Sequence, residues 1–217
     1  MSSQYDQFAK DFSATRQKSW PEFDLFLPTI KKMDRVLDLG CGNGRLRDKL
    51  STNIVPLGHY FGFDLSEKLL EIARKNNPKD HFFRGTFAKD LPFGSENFNF
   101  VVSIAAFHHL LNKKDQHKCL SECFRVLKPN GKIFLSTWIL PKKYFWNNFW
   151  HGRVFTKNWI IPFGKEKHTR TYRWVSENDL TRLLKKAGFK VLLSQRFKNR
   201  NFVILAEKIG EVFSQIK

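Results

Sequence analysis

The stretch from Arg35 to Leu46, RVLDLGCGNGRL, constrains the fold of this chain more than any other. Apolar residues over 36–39 predict a short buried strand. Three glycines follow it at alternate positions: Gly40, Gly42 and Gly44. Glycines in this pattern let the backbone turn sharply and approach a ligand, because no Cβ is in the way. The composition of residues 45–50 predicts a helix whose unpaired N–H groups would favour an anionic part of that ligand.

A carboxylate about twenty residues further on points to a nucleotide-type ligand. His59 to Phe63 predicts a second apolar strand, and Asp64 follows it directly. A carboxylate at this place can accept hydrogen bonds from ribose hydroxyls. The dinucleotide fingerprint G-x-G-x-x-G is not met, because Arg45 stands where its third glycine is required. A glycine-rich turn in some other α/β protein remains the alternative.

Strands and helices continue to alternate along the chain, which predicts a doubly wound sheet. Further strands are predicted at 81–84, 98–104 and 132–138, with helices after Ser66, at 114–127 and after Ser176. The last two predicted strands, 190–196 and 201–207, are joined by so short a loop that they form an antiparallel hairpin. The fold class predicted is therefore α/β, with a seven-stranded, mostly parallel sheet and a C-terminal antiparallel hairpin.

The length suits one α/β domain, and two regions fall outside the alternation. Residues 1–34 form an N-terminal arm, and residues 139–170 form an insertion in which aromatic and basic side chains alternate. Such a mixture suits RNA, because aromatic rings stack on bases and cations follow phosphates. An amphipathic membrane-surface element and a subdomain that buries its own aromatics are the alternatives.

The formal net charge of +18 favours a polyanionic partner, chiefly nucleic acid. Compositional drift in a lysine-rich chain is the alternative explanation. No apolar run is long enough for a membrane span, and the N-terminus lacks the core of a secretory signal. Three cysteines, Cys41, Cys119 and Cys123, favour a reducing, cytoplasmic setting, and their spacing predicts no metal site.

The core motifs resemble those of a known family. D-L-G-C-G-N-G is similar to motif I of the class I S-adenosylmethionine-dependent methyltransferases, and FGFDLS and RVLKPNGKIFLS are similar to later parts of their Rossmann-like core. The resemblance implies that the glycine turn packs against the methionine part of S-adenosylmethionine and that Asp64 holds its ribose. The cofactor-binding residues expected are Tyr5, Asp38, Gly40, Cys41, Gly42, Asn43, Gly44, Asp64, Leu65, Phe87, Ala88 and Ile104.

Motifs outside the core narrow the resemblance. YDQFAKDFSATRQKSWP, SIAAFHHL and RTYRWVSENDL together resemble the tRNA wobble-uridine carboxymethyl methyltransferases, which esterify the carboxylate of 5-carboxymethyluridine. The resemblance implies a tRNA substrate and raises the question of a small zinc-binding activator subunit. One departure concerns adenine. The acid usual after the third strand is missing, so backbone groups around Phe87 and Ala88, or Asp90 after a shift, would recognise the adenine.

A carboxylate acceptor is already ionised near neutral pH, so methyl transfer to it needs no strong general base. His108 and His109 are therefore expected to orient the acceptor or contact RNA. Arg16 and Lys18 are assigned to the acceptor carboxylate or to nearby phosphates. A small-molecule, quinone or lipid methyltransferase with a membrane-facing insertion is the alternative function, and a cofactor-binding RNA scaffold without activity is a non-enzymatic one.

Overall fold

The structure, a computed structural model, describes residues 3–15, 20–50, 52–139, 158–163, 168–198 and 200–209. Its strands are β1 (Val36–Leu39), β2 (Tyr60–Asp64), β3 (His81–Arg84), β4 (Phe98–Ile104), β5 (Leu127–Trp138), β6 (Asn158–Phe163), β7 (His168–Arg173), β8 (Phe189–Phe197) and β9 (Asn201–Lys208). Its α-helices are α1 (Ala9–Ala14), α2 (Glu67–Asn76), α3 (Lys113–Val126) and α4 (Glu177–Lys186).

Seven strands form one sheet in the order β3-β2-β1-β4-β5-β9-β8. The first five are parallel, whereas β9 runs antiparallel to both β5 and β8. The predicted doubly wound sheet with a C-terminal antiparallel hairpin is therefore confirmed. The strand order reverses between β1 and β4, and ligands of such sheets bind beyond the carboxyl ends of the strands at that switch point.

Alternate residues of the central strands enter two separate cores, one on each face of the sheet. Leu37 and Leu39 of β1 join a cluster with side chains of α3 and α4. Val36 lies on the other face, in a cluster with α2 and with Phe26 of the N-terminal arm. The strands of a parallel sheet that is covered on both faces have nearly continuous apolar sequences. For this reason β1 could be predicted from only four residues.

The helix starts follow the predicted caps. The Ser66 hydroxyl accepts a hydrogen bond from the Leu69 N–H at the start of α2, and Ser176 does the same for the Asp179 N–H at the start of α4. An N-cap of this kind satisfies one of the four free N–H groups of a first turn. None of the helices in the described ranges is long and apolar enough to cross a bilayer.

The helix predicted over residues 45–50 is wrong. Only a single 3-10 turn, Arg47–Lys49, forms there. The buried Arg47 guanidinium donates to the carbonyls of Leu50 and Val55 and pairs with Asp80 at 2.6 Å. These tertiary bonds hold the segment in turns, so residues 45–50 present no α-helix N-terminus to the ligand side of β1.

The insertion predicted at 139–170 lies largely outside the described residues. Its described part contributes β6 and the start of β7, which pair antiparallel as a separate two-stranded sheet. Trp159 and Tyr172 of this pair are buried and pack with Trp138 at the end of β5. Within the described part, the aromatics named here therefore pack against one another.

Candidate active site

The glycine turn follows β1 directly. Gly40 has a φ of +81°, and a Cβ there would lie 2.2 Å from the Ala106 Cβ. Its N–H donates to the Phe63 carbonyl at 2.7 Å, which ties the turn to the end of β2. The same turn brings Gly42 to φ +56°, where a Cβ would meet no atom closer than 3.8 Å. Gly40 is therefore required by both sterics and backbone conformation, whereas at Gly42 only the positive φ favours glycine.

Asp64 at the end of β2 is held by backbone donors. Its Oδ2 accepts from the Gly42 N–H at 2.9 Å, and its Oδ1 accepts from the Ser66 N–H at 2.8 Å. Burial raises the pKa of Asp64 above its ordinary value of 3.8, and these two N–H groups oppose that rise. A carboxylate has about four lone-pair positions, so two hydrogen bonds leave acceptor capacity for a ligand.

A cavity of about 360 Å³ opens beside these groups, at the carboxyl ends of β1, β2 and β4. Ligand sites commonly have volumes of roughly 300–1,000 Å³. Ten of the residues predicted for the site line it, namely Tyr5, Gly40, Cys41, Gly42, Asn43, Asp64, Leu65, Phe87, Ile104 and His109. The structure thus brings together most of the predicted cofactor residues.

Four predicted residues do not line this cavity. Asp38 lies under the turn, where it accepts a hydrogen bond from the Tyr60 hydroxyl at 2.6 Å. Burial raises its pKa to about 7. Gly44 is buried against Ala73 of α2, and Ala88 packs against the core beside α3 and α4. These three residues, Asp38, Gly44 and Ala88, shape the turn or the core without reaching the cavity. The fourth residue, His108, is described below.

The structure shows which side chains stand near the place of the acid that is missing after β3. Phe87 lines the cavity together with Thr86, which the sequence analysis did not select. Asp90 does not replace the missing acid, because its side chain is 84% exposed and pairs with Lys118 on the surface. The side chains available at the end of β3 for a flat ligand group are therefore an aromatic ring and a hydroxyl.

The N-terminal arm covers the cavity through polar contacts with three separate elements. Asp6 accepts from the Ser66 hydroxyl at 2.6 Å, Ser13 accepts from the Asn43 side-chain amide at 2.9 Å, and Gln4 accepts from the Thr171 N–H at 3.4 Å. Tyr5, which belongs to this arm, lines the cavity wall. That Tyr5 contacts the bound cofactor stays a prediction.

His109 is fixed from both ring nitrogens. Its Nδ1 lies 3.1 Å from the Thr171 carbonyl, so Nδ1 carries the proton, and Nε2 accepts from the Tyr5 hydroxyl at 2.8 Å. Burial lowers the pKa of His109 to about 4. The ring is therefore neutral at physiological pH. A neutral His109 that already accepts from Tyr5 serves to hold the arm.

His108 has the opposite tautomer. Its Nδ1 accepts from the Trp138 backbone N–H at 3.4 Å, which leaves the proton on Nε2. Burial, with the nearby His109 and Arg170, lowers its pKa well below 6.5. His108 lines a second cavity on the other side of Tyr5. The two histidines thus face different spaces. The other predicted catalytic residues, Arg16 and Lys18, lie outside the described residues.

Sequence reasoning missed several lining residues that come from distant parts of the chain. Trp20 and Arg45 both line the first cavity, and the Arg45 guanidinium lies 4.6 Å from the Trp20 ring centroid. Thr171 reaches it from β7. All three lie within motifs quoted above, but a motif does not tell which of its side chains reach a cavity, because that depends on how the arm and β7 fold over the sheet.

Comparison with known proteins shows which domain family the core of this chain resembles. A family profile described as a methyltransferase domain matches residues 37–135, which include the glycine turn and Asp64. An S-adenosylmethionine-dependent methyltransferase from Methanosarcina mazei has the same fold, with a TM-score of 0.72 and 21% identity. The match covers 89% of this chain and 100% of the M. mazei chain. The core of this chain is therefore similar to the methyltransferase domain family, and its fold is that of S-adenosylmethionine-dependent methyltransferases of known structure.

Relatives within this class carry a more specific name. A protein of Schizosaccharomyces pombe named tRNA (carboxymethyluridine(34)-5-O)-methyltransferase is 26% identical over 224 residues, covering 94% of both chains. A protein of the same name from Arabidopsis thaliana is 34% identical over 134 residues, which are 62% of this chain and 31% of the relative. The chain thus spans about a third of the Arabidopsis relative and nearly all of the S. pombe one.

A solved structure adds a neighbour with a bound subunit. A methyltransferase from Haloferax volcanii, in complex with the Trm112 methyltransferase activator, matches with a TM-score of 0.72 and 20% identity over 95% of this chain and 96% of its own. At this identity the similarity shows the shared fold.

The first cavity fits S-adenosylmethionine, the cofactor of this class. Asp64 presents an oriented carboxylate, as a ribose requires, and Gly42 lines the cavity without a side chain, so a ligand can approach its backbone. The walls combine these polar groups with apolar side chains such as Leu65 and Phe87. The residues present are therefore those that a sulfonium nucleoside needs.

Proposed function

We propose that this chain transfers a methyl group from S-adenosylmethionine to the carboxylate of a 5-carboxymethyluridine at the wobble position of a tRNA. The end-to-end similarity to the S. pombe relative, over 94% of both chains, carries this proposal. The cavity at the switch point of the sheet supports it, because its size and its residues suit the cofactor. A cytoplasmic location is part of the proposal.

The chain's own residues have separate tasks in this proposal. Asp64 would accept from the ribose, the backbone at Gly42 and Asn43 would lie against the methionine part, and Thr86 and Phe87 would line the adenine. When bound, S-adenosylmethionine supplies an electrophilic methyl group, whose bond to sulfur breaks as the bond to the acceptor oxygen forms. Holding the two reactants in line contributes most of the rate in such a displacement.

No general base is required for a carboxylate acceptor. The acceptor oxygen is ionised near neutral pH and brings its own electron pair, so no proton moves. The neutral state of His109, with its pKa of about 4, is consistent with a residue that positions Tyr5 and removes no proton. The net charge of +18 supports a polyanionic substrate, and the tRNA relatives do not favour the quinone or lipid alternative.

Mass spectrometry of digested tRNA tests the proposal directly. tRNA that contains 5-carboxymethyluridine is incubated with S-adenosylmethionine and the full chain, and the methyl ester nucleoside is expected as the product. Asp64→Ala should abolish the product at limiting cofactor, whereas Asp90→Ala should retain it because Asp90 lies on the surface, paired with Lys118. Unchanged tRNA after incubation with the wild-type chain would contradict the proposal.

We also propose that an activator subunit similar to Trm112 joins this chain. Similarity over 95% of the chain to the H. volcanii protein solved in that complex supports it. Methyl transfer and S-adenosylmethionine affinity are measured with and without added Trm112. Equal values in both conditions, with no co-elution on gel filtration, would contradict this part of the proposal and leave the activity itself unaffected.

A further inference from the structure

A second cavity of about 330 Å³ adjoins the first. The two cavities share four wall residues, which are Tyr5, Phe12, Trp20 and Ala105. The second cavity extends from these residues toward Trp138 at the end of β5 and the loop between β8 and β9. A group bound in it would therefore lie next to the ligand of the first cavity, across the Tyr5 side chain.

His108 presents an unused donor in the wall of this cavity. The residue is 3% exposed, and its Nδ1 accepts from the Trp138 N–H, so Nε2 bears the proton. Among the described residues Nε2 has no hydrogen-bond partner. Buried polar groups are normally paired. An acceptor atom supplied by a ligand would complete the hydrogen bonding of His108.

The charges around the cavity are mainly positive. Arg170 is 7% exposed, and its guanidinium lies 5.2 Å from the Tyr172 ring centroid. Lys198 and Arg200, both exposed, line the mouth. Among the described lining residues the only acid is Glu22, which accepts a hydrogen bond from Asn201. The cavity is therefore suited to an anionic group.

The remaining walls are aromatic. The Tyr172 ring lies 4.4 Å from the His108 ring and 5.5 Å from the Trp138 ring, measured between centroids. Flat side chains of this kind stack on nucleobases in single-stranded RNA recognition. A planar ring that carries an anionic substituent would use both the aromatic walls and the buried cation.

We propose that this second cavity is the acceptor subsite, which takes a pyrimidine with a carboxylate substituent. Arg170 and His108 Nε2–H bind the carboxylate, and Trp138 and Tyr172 pack against the ring. The inference rests on the proposed function and deepens it. It assigns the carboxylate to residues of β7 and of the segment after β4, whereas sequence reasoning assigned it to Arg16 and Lys18.

Binding of two matched RNAs without cofactor tests the subsite. Anticodon stem-loops carry either 5-carboxymethyluridine or the uncharged 5-carbamoylmethyluridine at the wobble position, and affinities are measured by fluorescence anisotropy. The wild-type chain should prefer the carboxylate by about tenfold, as charge-assisted hydrogen bonds imply. Arg170→Gln and His108→Asn should each reduce this preference toward unity. The matched control Arg182→Gln, on the exposed surface of α4, should retain it.

The outcomes separate the subsite from the reaction. No preference in the wild-type chain, or an unchanged preference in both variants, would overturn the subsite. Methyl ester formation is measured in parallel, and its absence would overturn the proposed function alone. Should a variant fail to fold, photocrosslinking of the wild-type chain to a stem-loop with 5-iodouridine at the wobble position decides. A crosslink to Trp138 or Tyr172 supports the subsite, and crosslinks only to other residues overturn it.

Discussion

Asp64 is oriented before any ligand binds. Its two oxygens accept from the N–H groups of Gly42 and Ser66, one on each side of the carboxylate. The first donor belongs to the glycine turn and the second to the start of α2, so the carboxylate joins the two elements. A group held by packing and backbone bonds loses little freedom on binding, and this favours affinity.

His108 and His109 show how neighbouring residues of one type acquire different tasks. His109 donates to the Thr171 carbonyl from Nδ1, whereas His108 accepts the Trp138 N–H at Nδ1. The same motif therefore presents an acceptor nitrogen to Tyr5 on one side and a donor to the second cavity on the other. The backbone partners decide these tautomers.

Asp38 makes the stability of the fold depend on pH. Burial raises its pKa to about 7 from an ordinary 3.8, although the Tyr60 hydroxyl opposes the rise. The folded chain retains the proton while the unfolded chain loses it, so Asp38 lowers the free energy of unfolding as pH rises from about 4 to 7. Asn keeps the acceptor for Tyr60 without ionising. Asp38→Asn should therefore gain a few kcal/mol over wild type across this range.

Denaturant unfolding at several pH values measures this difference. Asp24→Asn, an exposed position in the arm, serves as the control and should leave the difference from wild type nearly constant. A constant difference for Asp38→Asn as well would show that the buried carboxyl does not bind a proton in the folded state.

At the scale of elements, the N-terminal arm is attached to the cavity by hydrogen bonds from several directions. Asp6 contributes most, because it accepts from the Ser66 hydroxyl and the Lys68 N–H at the start of α2, and also from the Ser3 N–H within the arm. Burial raises the pKa of Asp6, but these three donors outweigh it and the net shift is downward. The charged form thus holds the arm to the start of α2.

Loss of this contact should loosen the arm. Asp6→Ala is expected to speed dissociation of S-adenosylmethionine by about three- to tenfold, because hydrogen bonds to a charged group are lost while the cavity itself is unchanged. Stopped-flow displacement measures the rate. Asp11→Ala, on an exposed position of α1, is the matched control. Equal dissociation rates for the two variants would mean that the arm does not retain the cofactor.

The elements also differ in how far they could be predicted. β3 and β4 were predicted with the bounds observed, because their apolar runs lie between clear turn residues. The segment after Gly44 failed, because the buried pair of Arg47 and Asp80 outweighs a weak local helix preference. β6 and β7 were not predicted. They pair antiparallel with each other at the C-terminal end of the insertion, and β7 lacks the apolar run that marks the strands of the main sheet.

At the scale of the whole molecule, the net charge of +18 should dominate association with tRNA. Neutralised phosphates release counterions, so tRNA affinity should fall by at least about a hundredfold between about 50 mM and 200 mM salt. Anisotropy titrations at several salt concentrations measure the slope. The affinity for S-adenosylmethionine, which binds at the glycine turn and Asp64 in our proposal, should change little and is the internal control. A flat tRNA slope would contradict the RNA proposal.

The sequence alone determined the sheet, the glycine turn and the position of Asp64, because these depend on local apolar patterns and on backbone conformations that favour glycine. Only the tertiary structure decided that His108 and His109 face different cavities, that Asp38 is buried and that Arg170 and Trp20 line the cavities. These side chains come from segments distant in sequence, so their environment exists only after the arm and β7 have packed on the sheet.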